Sequence, residues 1–439
     1  MEYRQRFAGP RGRDGALGYP VRVADWLRMT PEELDALDPL VAARADFMVD
    51  ESVVYMDGNS LGRLPKATVR RTGAEVEEMW GRRLVRGWNE GWYELPVEVG
   101  DQIGELIGAT PGETLCCDST TVNLYKIVSA LGALAKGGPI VAEGRAFPSD
   151  LYALQSCASA CGRQIQYIEP GPHGWTQTGA VVDAIQDGAA IVVLSHVDFR
   201  TGRLLPMNEL TAAAHSAGCL IIWDLSHSVG AVPSRVSEWG VDAAVGCTYK
   251  YLNGGPGSPA FLYVNARHLE KVQCPLFGWL GSRDPFAFEP TYEPASGVRK
   301  FLVGTPPIIS MTAVEEGVRL VARYGLSAIR EKSERLGDLF IHLARRELVP
   351  RGMSLRSPEQ SADRGSHVSL AHPDAYRICR ALIEEESVIP DFRTPDMIRY
   401  GLSPLYTSYC EVQRAVEATA RVIDSRVFEK FERDFAAVT

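Results

Sequence analysis

The chain has 439 residues, more than one hydrophobic core usually serves, so we expect a large domain and a smaller one. It carries 46 lysines and arginines against 55 aspartates and glutamates, a formal charge of −9, without a long basic run. This balance argues against nucleic acid or an anionic membrane as the main partner and favours a small-molecule substrate.

The N-terminus is polar, and no stretch of the sequence reaches the roughly 18 apolar residues of a membrane span. We therefore expect a cytoplasmic protein, with the Arg/Gly-rich first fifteen residues disordered. The nine cysteines are mostly scattered, and Cys157 and Cys161 have no nearby His or Cys partners that would complete a zinc site. No metal is predicted.

Apolar runs typical of buried strands alternate with helix-like segments from about residue 100 to 270. The predicted strands are Ile140–Ala142, Ile165–Ile168, Ala189–Leu194, Cys219–Trp223 and Ala260–Val264. The segments Asp150–Cys161 and Met207–Ala217 have helical composition. This alternation predicts an α/β fold with a mostly parallel central sheet and helices on both faces.

Beyond residue 310 the pattern changes to long amphipathic helices, Met311–Tyr324 and Leu326–Glu347, followed by short strands at His367–Leu370 and Met397–Gly401. We predict a smaller α+β C-terminal domain over 311–439 and a large ligand-binding domain over 75–310. Residues 1–74 are expected to pack on the small domain and the site entrance.

Two residues of the large domain each end an apolar run. Asp224 ends the first, at the edge where parallel sheets bind ligands, and Lys250 ends a second apolar stretch shortly after it. A carboxylate keeps a pyridine nitrogen protonated, and a lysine amine forms a Schiff base with an aldehyde. Either residue alone is common, but the pair indicates a site for pyridoxal phosphate (PLP).

Other segments could complete such a site, although each also has an ordinary structural explanation. Ser119, Thr120 and Thr121 precede a predicted helix and could bind a phosphate or simply cap the helix. Phe147 could cover a pyridine ring or pack in the core. Ser195 and His196 follow a predicted strand, where a lone histidine is usually structural.

Several strings between about residues 50 and 420 are specific enough to indicate a family. The two most specific are Asp57-Gly58-Asn59-Ser60-Leu61-Gly62 and Tyr249-Lys250-Tyr251-Leu252-Asn253-Gly254-Gly255-Pro256-Gly257. The shorter strings are Ser119–Leu124, Phe147–Asp150, Trp223–His227, Arg283–Phe286 and Arg399–Tyr406. With these strings the sequence resembles the kynureninases. The resemblance implies a homodimeric, fold-type I PLP enzyme that hydrolyses L-kynurenine or 3-hydroxykynurenine to an anthranilate and L-alanine.

The resemblance also implies roles for individual residues. Lys250 would be the Schiff-base lysine and proton carrier, Asp224 the partner of the pyridine nitrogen, and Tyr249 a hydroxyl that assists proton transfer during carbon–carbon cleavage. The residues expected to bind the cofactor are Thr120, Thr121, Phe147, Asp150, Ser195, Asp224, His227, Tyr249 and Lys250, with Trp279 and Thr305 supplied by the neighbouring subunit.

Arg399 would bind the substrate carboxylate, because a guanidinium grips a carboxylate at two points. Asn59 and Ser60 are predicted to line the substrate entrance. Kynureninases commonly carry an aromatic residue and a histidine where this chain has Leu280 and Ser282. One interpretation is a roomier pocket that accepts a ring-substituted kynurenine through Ser282; the other is a neutral change outside the pocket.

Two alternatives have the same core residues. A cysteine desulfurase-like lyase would need a reactive cysteine on a mobile loop and usually a histidine before the lysine, whereas Tyr249 precedes Lys250 and neither Cys379 nor Cys410 lies in an obvious Gly-rich loop. A non-catalytic PLP-binding regulator would be expected to lose Lys250, Asp224 or Arg399 and to carry an added binding domain, whereas this chain retains all three residues.

Overall fold

A seven-stranded sheet forms the centre of the computed structural model, which describes Trp26 and residues 28–432. Its strands are β2 (Thr114–Cys116), β3 (Ile140–Glu143), β4 (Ile165–Ile168), β5 (Ile191–Ser195), β6 (Leu220–Asp224), β7 (Ala243–Gly246) and β8 (Phe261–Val264). They lie in the order β2-β8-β7-β6-β5-β3-β4, and β8 alone runs against its neighbours. The prediction of a mostly parallel sheet is confirmed.

Helices cover both faces of this sheet, as predicted. They are α3 (Leu95–Ile107), α4 (Thr120–Gly132), α5 (Pro148–Cys161), α6 (Thr178–Gln186), α7 (Met207–Ser216), α8 (Ala266–Leu269) and α9 (Ile308–Tyr324). Two helices precede them, α1 (Pro31–Ala36) and α2 (Lys66–Ala74), and α2 packs on α9. Alternate strand residues pack on opposite faces of the sheet: Ile221 lies with side chains of α3, α7 and α9, and Ile222 with side chains of α4 and α5. This period of two is what a strand buried on both faces requires.

A second core is built mainly by the C-terminal part of the chain. It contains α10 (Leu326–Glu347), α11 (Ala375–Glu386) and α12 (Tyr409–Ser425). These pack on an antiparallel sheet of β9 (Ser354–Leu355), β10 (His367–Ala371), β12 (Asp391–Arg393) and β13 (Met397–Gly401).

The N-terminal segment joins this second core. Strand β1 (Val54–Tyr55) pairs in parallel with β11 (Val388–Ile389), and Met56 is buried among the C-terminal side chains. The predicted boundary after residue 310 falls inside α9, whose buried residues belong to the first core. The division into domains at 74 and 310 stays a prediction, and the first fifteen residues lie outside the described part of the chain.

Among the described residues, no helix is both long and apolar enough to span a membrane.

Candidate active site

A cavity of about 220 Å³ opens at the carboxyl edge of the seven-stranded sheet. Ser195 ends β5, Asp224 ends β6, and the segment after β7 leads to Lys250. Ligands bind at this edge of open α/β sheets. The structure brings together at the cavity wall the residues predicted to bind the cofactor from this chain: Thr120, Thr121, Phe147, Asp150, Ser195, Asp224, His227, Tyr249 and Lys250.

Two buried acids meet at the inner end of the cavity. Asp224 accepts hydrogen bonds from the Ser226 backbone N–H at 2.9 Å and from the Ser226 hydroxyl at 2.6 Å, which fix its carboxylate. Asp150, in the first turn of α5, lies next to it, and burial together with the charge of Asp224 holds the pKa of Asp150 well above its usual range. A like charge nearby disfavours ionisation of a carboxyl group. Asp150 therefore favours its protonated form, and a positively charged group beside the two acids would be stabilised.

Lys250 lines the same cavity as the two acids. Its Nζ lies 2.8 Å from Nε2 of His227. Burial and the charge of Lys250 lower the pKa of His227 well below its usual range, so the ring is neutral and can accept a hydrogen bond. The ring thus holds the lysine amine at the cavity wall, where it can meet a carbonyl group.

The two strings that are most specific to the resemblance touch each other at this lysine. The Gly62 backbone N–H donates to the Tyr249 carbonyl at 2.8 Å. A Cβ added at Gly62 would lie 2.3 Å from both the Lys250 carbonyl oxygen and Oδ1 of Asn253. Only a glycine can approach so closely, so the N-terminal string supports the loop that carries the lysine.

An anion site is available at the outer end of the cavity, where α4 begins. Ser119 caps the helix by accepting a hydrogen bond from the Val122 backbone N–H at 3.4 Å. Thr120 and Thr121 follow in its first turn and line the cavity. The free N–H groups and the dipole of a helix N-terminus favour a phosphate there.

Aromatic side chains form one wall. Phe147 is 42% exposed and makes an edge-to-face contact with Phe199, with ring centroids 5.2 Å apart. Tyr249 lies near Lys250, with Nζ 5.9 Å from its ring centroid. The neighbouring Cys247 and burial raise the pKa of Tyr249, so its hydroxyl keeps its proton at neutral pH and can donate it.

Arg399 lies behind this wall rather than in the cavity lining. Its Nη1 donates to the Phe199 carbonyl at 2.5 Å, its Nη2 to the Ser60 hydroxyl at 3.0 Å, and its Nε to Asp391 at 2.7 Å. Through Phe199 the guanidinium reaches the cavity wall. Ser60 comes from the N-terminal string, so three distant parts of the chain meet at this arginine.

Other predicted residues lie elsewhere. Asn59 is fully buried, and its amide lies where a Cβ on Gly401 would fall, so the structure does not present it at an entrance. Trp279 is 47% exposed and Thr305 is exposed, both away from the cavity lining of this chain. Ser282 is also outside that lining and pairs with Pro294.

Two further sequence interpretations can be compared with the structure. Leu280 is buried in the sheet core with Phe301, so its change from an aromatic residue does not enlarge the cavity of this chain. His196 packs edge-to-face on Trp223, and burial lowers its pKa to about 3, as expected for a structural histidine.

Sequence reasoning missed several residues of the site. Phe199 and Ser226 follow strand ends by a few residues, a position that could have marked them. Glu143 ends β3 and accepts from the Ser195 backbone N–H at 2.8 Å, beneath the cavity. Asp391 precedes Arg399 by eight residues across a Thr-Pro turn signal, which could have indicated a hairpin pairing the two.

Comparison with known proteins agrees with this geometry. The model for aminotransferase class-V matches residues 54–371, and the model for the kynureninase C-terminal domain matches residues 329–419. The kynureninase of Pseudomonas fluorescens is 42% identical over 403 residues, covering 90% of this chain and 95% of that protein. The chain belongs to the kynureninase family. The kynureninase of Deinococcus radiodurans is 40% identical over 399 residues, with the same coverage of both proteins.

Solved structures outside the kynureninase family share the fold. Apo cysteine desulfurase from Thermococcus onnurineus has a TM-score of 0.76 at 20% identity, covering 88% of this chain and 98% of that one. A lysine-to-alanine mutant of C-DES, with glycine covalently linked to its PLP cofactor, also has a TM-score of 0.76, at 18% identity, covering 86% of this chain and 98% of that one. The fold-type I α/β class predicted from the sequence is confirmed.

Proposed function

We propose that this chain is a PLP-dependent kynureninase. It cleaves the Cβ–Cγ bond of L-kynurenine, 3-hydroxykynurenine or a ring-substituted kynurenine by hydrolysis, giving the corresponding anthranilate and L-alanine. The observation that carries the proposal is the single cavity that holds both Lys250 and the Asp150–Asp224 pair, in a chain 42% identical to a kynureninase over nearly its whole length.

The residues of the cavity fit three groups of PLP: the ring nitrogen, the aldehyde and the phosphate. The acid pair matches a protonated ring nitrogen, Lys250 matches the aldehyde, and the start of α4 matches the phosphate. Phe147 offers a ring to stack on the pyridine. When bound, PLP supplies an aldehyde for a Schiff base and a protonated ring that withdraws electrons from the substrate Cα.

The chain's own residues then have defined tasks. Asp224, fixed by Ser226, holds the proton on the ring nitrogen, and Asp150 keeps this end of the cavity from gaining a second negative charge. Lys250 Nζ moves the Cα proton. Tyr249, whose hydroxyl stays protonated, donates a proton during carbon–carbon cleavage. Arg399 and Ser60 bind the substrate carboxylate.

The dimer is part of the proposal. Trp279 lies on a loop that also exposes Phe277, Phe286 and Phe288, and exposed apolar clusters of this kind mark interaction surfaces. In the assembled enzyme Trp279 and Thr305 of one subunit would close the phosphate end of the other subunit's site. The cytoplasmic location also remains a proposal, supported by nine free cysteines.

A desulfurase-like activity is less well supported. Cys379 is buried inside α11, and burial raises its pKa. Cys410 lies in the first turn of α12, where burial and Asp35 raise its pKa to about 12. Neither cysteine has the thiolate character that persulfide chemistry needs. A non-catalytic regulator has no reason to retain Lys250, Asp224 and Arg399 together.

The decisive experiment pairs spectroscopy with product detection. The purified protein with PLP should show the absorbance of a lysine Schiff base and release fluorescent anthranilate from L-kynurenine. Lys250→Ala should lose both. A protein that binds PLP through Lys250 but yields no anthranilate and no alanine from any kynurenine would refute the proposed reaction.

Subunit complementation tests the shared site. Lys250→Ala and Trp279→Ala are each expected to be weakly active or inactive, and mixing them after dissociation should restore activity in hybrid dimers that contain one intact site. A sedimentation profile of a monomer with full activity would contradict the proposed dimer.

A further inference from the structure

One carboxylate, that of Asp391, contacts two nitrogens of the Arg399 guanidinium. Asp391 accepts from Nε at 2.7 Å and also pairs with Nη2. The arginine is 1% exposed and the aspartate 2%. The two residues face each other across adjacent strands, because the β12–β13 register places Asp391 opposite Arg399.

Burying this ion pair costs free energy, and a gain in stability does not explain why the pair is present. Taking two charges out of water costs several kcal/mol for each ion, and well-packed apolar residues often replace such pairs without loss of stability. A bidentate contact, however, fixes the plane of a guanidinium. With Nε and one side of Nη2 taken by Asp391, the other nitrogen edge is directed to Ser60 and to Phe199 at the cavity wall.

We propose that Asp391 is the positioning residue of the substrate-carboxylate subsite, holding Arg399 so that its outer nitrogen edge and the Ser60 hydroxyl meet the carboxylate together. Ser60 links the two: its hydroxyl donates to Asp391 at 2.7 Å and accepts from Arg399 at 3.0 Å. A carboxylate that arrives at Nη1 and Nη2 takes over the contacts that Arg399 makes with the Phe199 carbonyl and Ser60. Asp391 itself remains in place behind the arginine.

The charges of the cluster fit this role. Arg393 also pairs with Asp391 at 2.7 Å, so the aspartate lies between two arginines. Asp57 belongs to the same cluster, and burial together with the charge of Asp391 raises its pKa to about 8. At neutral pH the two arginines and one ionised aspartate leave one net positive charge. A single substrate carboxylate neutralises it.

The inference rests on the proposed function, and the experiment separates the two. Asp391→Asn keeps the size and one oxygen acceptor but removes the charge that orients Arg399. We expect KM for L-kynurenine and the Kd of L-alanine, followed by cofactor absorbance, to rise about tenfold or more, with a smaller change in kcat. Asp391→Glu should restore part of the binding, and Ser60→Ala should weaken it in the same direction.

Asp338→Asn is the matched control. Asp338 pairs with another buried arginine of the same part of the chain, Arg364, at 2.6 Å, away from the cavity lining. The Asp338→Asn variant should have a lower melting temperature than the wild type but the same KM. If Asp391→Asn folds, binds PLP and keeps KM within twofold of wild type, or if Asp338→Asn raises KM equally, the positioning role is wrong. If the wild type turns over no kynurenine, the proposed function fails instead.

Discussion

Two pairs of neighbouring acids lie in and beside the active site, and they are neutralised differently. Asp150 and Asp224 line the cavity and form no salt bridge within the described part of the chain. Asp57 and Asp391 lie behind the wall, where Asp391 pairs with two arginines. The first pair is suited to an incoming cation, such as a protonated ring nitrogen. The second is balanced by the protein itself and serves to orient an arginine.

The largest expected effect comes from breaking the first pair. Asp224→Asn should lower kcat with L-kynurenine by about 10²–10³-fold, because the ring nitrogen loses the charge that keeps it protonated. Asp150→Asn, which replaces the protonated member by a neutral group, should cost much less. Steady-state kinetics with the absorbance of bound PLP would check both. Equal losses in the two variants would mean that the acids are not distinguished as described.

The second pair, Asp57 and Asp391, should make the KM for kynurenine depend on pH. Asp57 has a pKa of about 8, so it is protonated at neutral pH and ionises as the pH rises through 8. Ionisation lowers the net charge of the cluster from one positive charge to zero, and KM should then rise between pH 7 and 9. The titratable groups that act on Asp57 are Asp391, Arg399, Arg393, Tyr55, Tyr251, Tyr406 and Cys379.

Asp57→Asn is the control for that pH profile. Its KM should stay low over the same range, apart from the change due to the substrate amine. A wild-type profile that matches the Asn variant at every pH would show that Asp57 does not titrate where we expect.

A fifth acid, Glu143, tests whether a buried carboxyl group outside the cavity lining affects stability rather than catalysis. Burial raises the pKa of Glu143 to about 7, above the value near 4.5 of an unfolded chain. The folded protein therefore binds an extra proton between these pH values, and the stability that this proton provides is lost as the pH rises through 7. Glu143→Gln keeps an acceptor for the Ser195 N–H but does not titrate. Between pH 5 and 8 its free energy of unfolding should therefore fall by about 1–3 kcal/mol less than that of the wild type, which melting curves at each pH would show. Parallel melting curves would contradict this.

The smallest expected effect concerns the aryl ring. Leu280 is buried in the core, so the roomier-pocket hypothesis now depends on Ser282 reaching a site in the partner subunit. Ser282→His should then reduce kcat/KM for a ring-methylated kynurenine several-fold more than for kynurenine, since a pocket methylene is worth about 1–3 kcal/mol. Equal effects on both substrates would favour the neutral change.

Much of the fold was predictable from local pattern. The helix Leu326–Glu347 and the strand Met397–Gly401 match the predicted bounds, and the predicted strands of the central sheet agree to within two residues at either end. Amphipathic helices and doubly buried strands are recognisable in the sequence because burial dictates each residue along them. Several of the residues that line the cavity follow strand ends, so their place at the carboxyl edge of the sheet was predictable. Their roles as cofactor ligands come from the resemblance and stay a prediction.

The rest depends on contacts between distant segments. The pairing of β1 with β11 joins residues more than 330 positions apart, and neither two-residue strand has a pattern of its own. Asp391 faces Arg399 only because of the register between β12 and β13, and a local sequence pattern does not specify that register. Asn59 looks like a turn residue in sequence, yet packing against Gly401 buries it.

The fit of Gly62 against the lysine loop has a mechanical consequence. Residues 54–62 are held at one end by β11 and by Gly401 of β13, whose N–H donates to the Met56 carbonyl at 2.6 Å, and at the other end by the Tyr249 carbonyl. They therefore form a short tether between the C-terminal sheet and the reactive amine. Any shift of that sheet toward or away from the cavity is transmitted to Lys250 through this tether. A methyl group at position 62 would displace the loop that carries Lys250. Gly62 therefore helps to fix the position of the amine, although it lies almost 190 residues before Lys250 in the sequence.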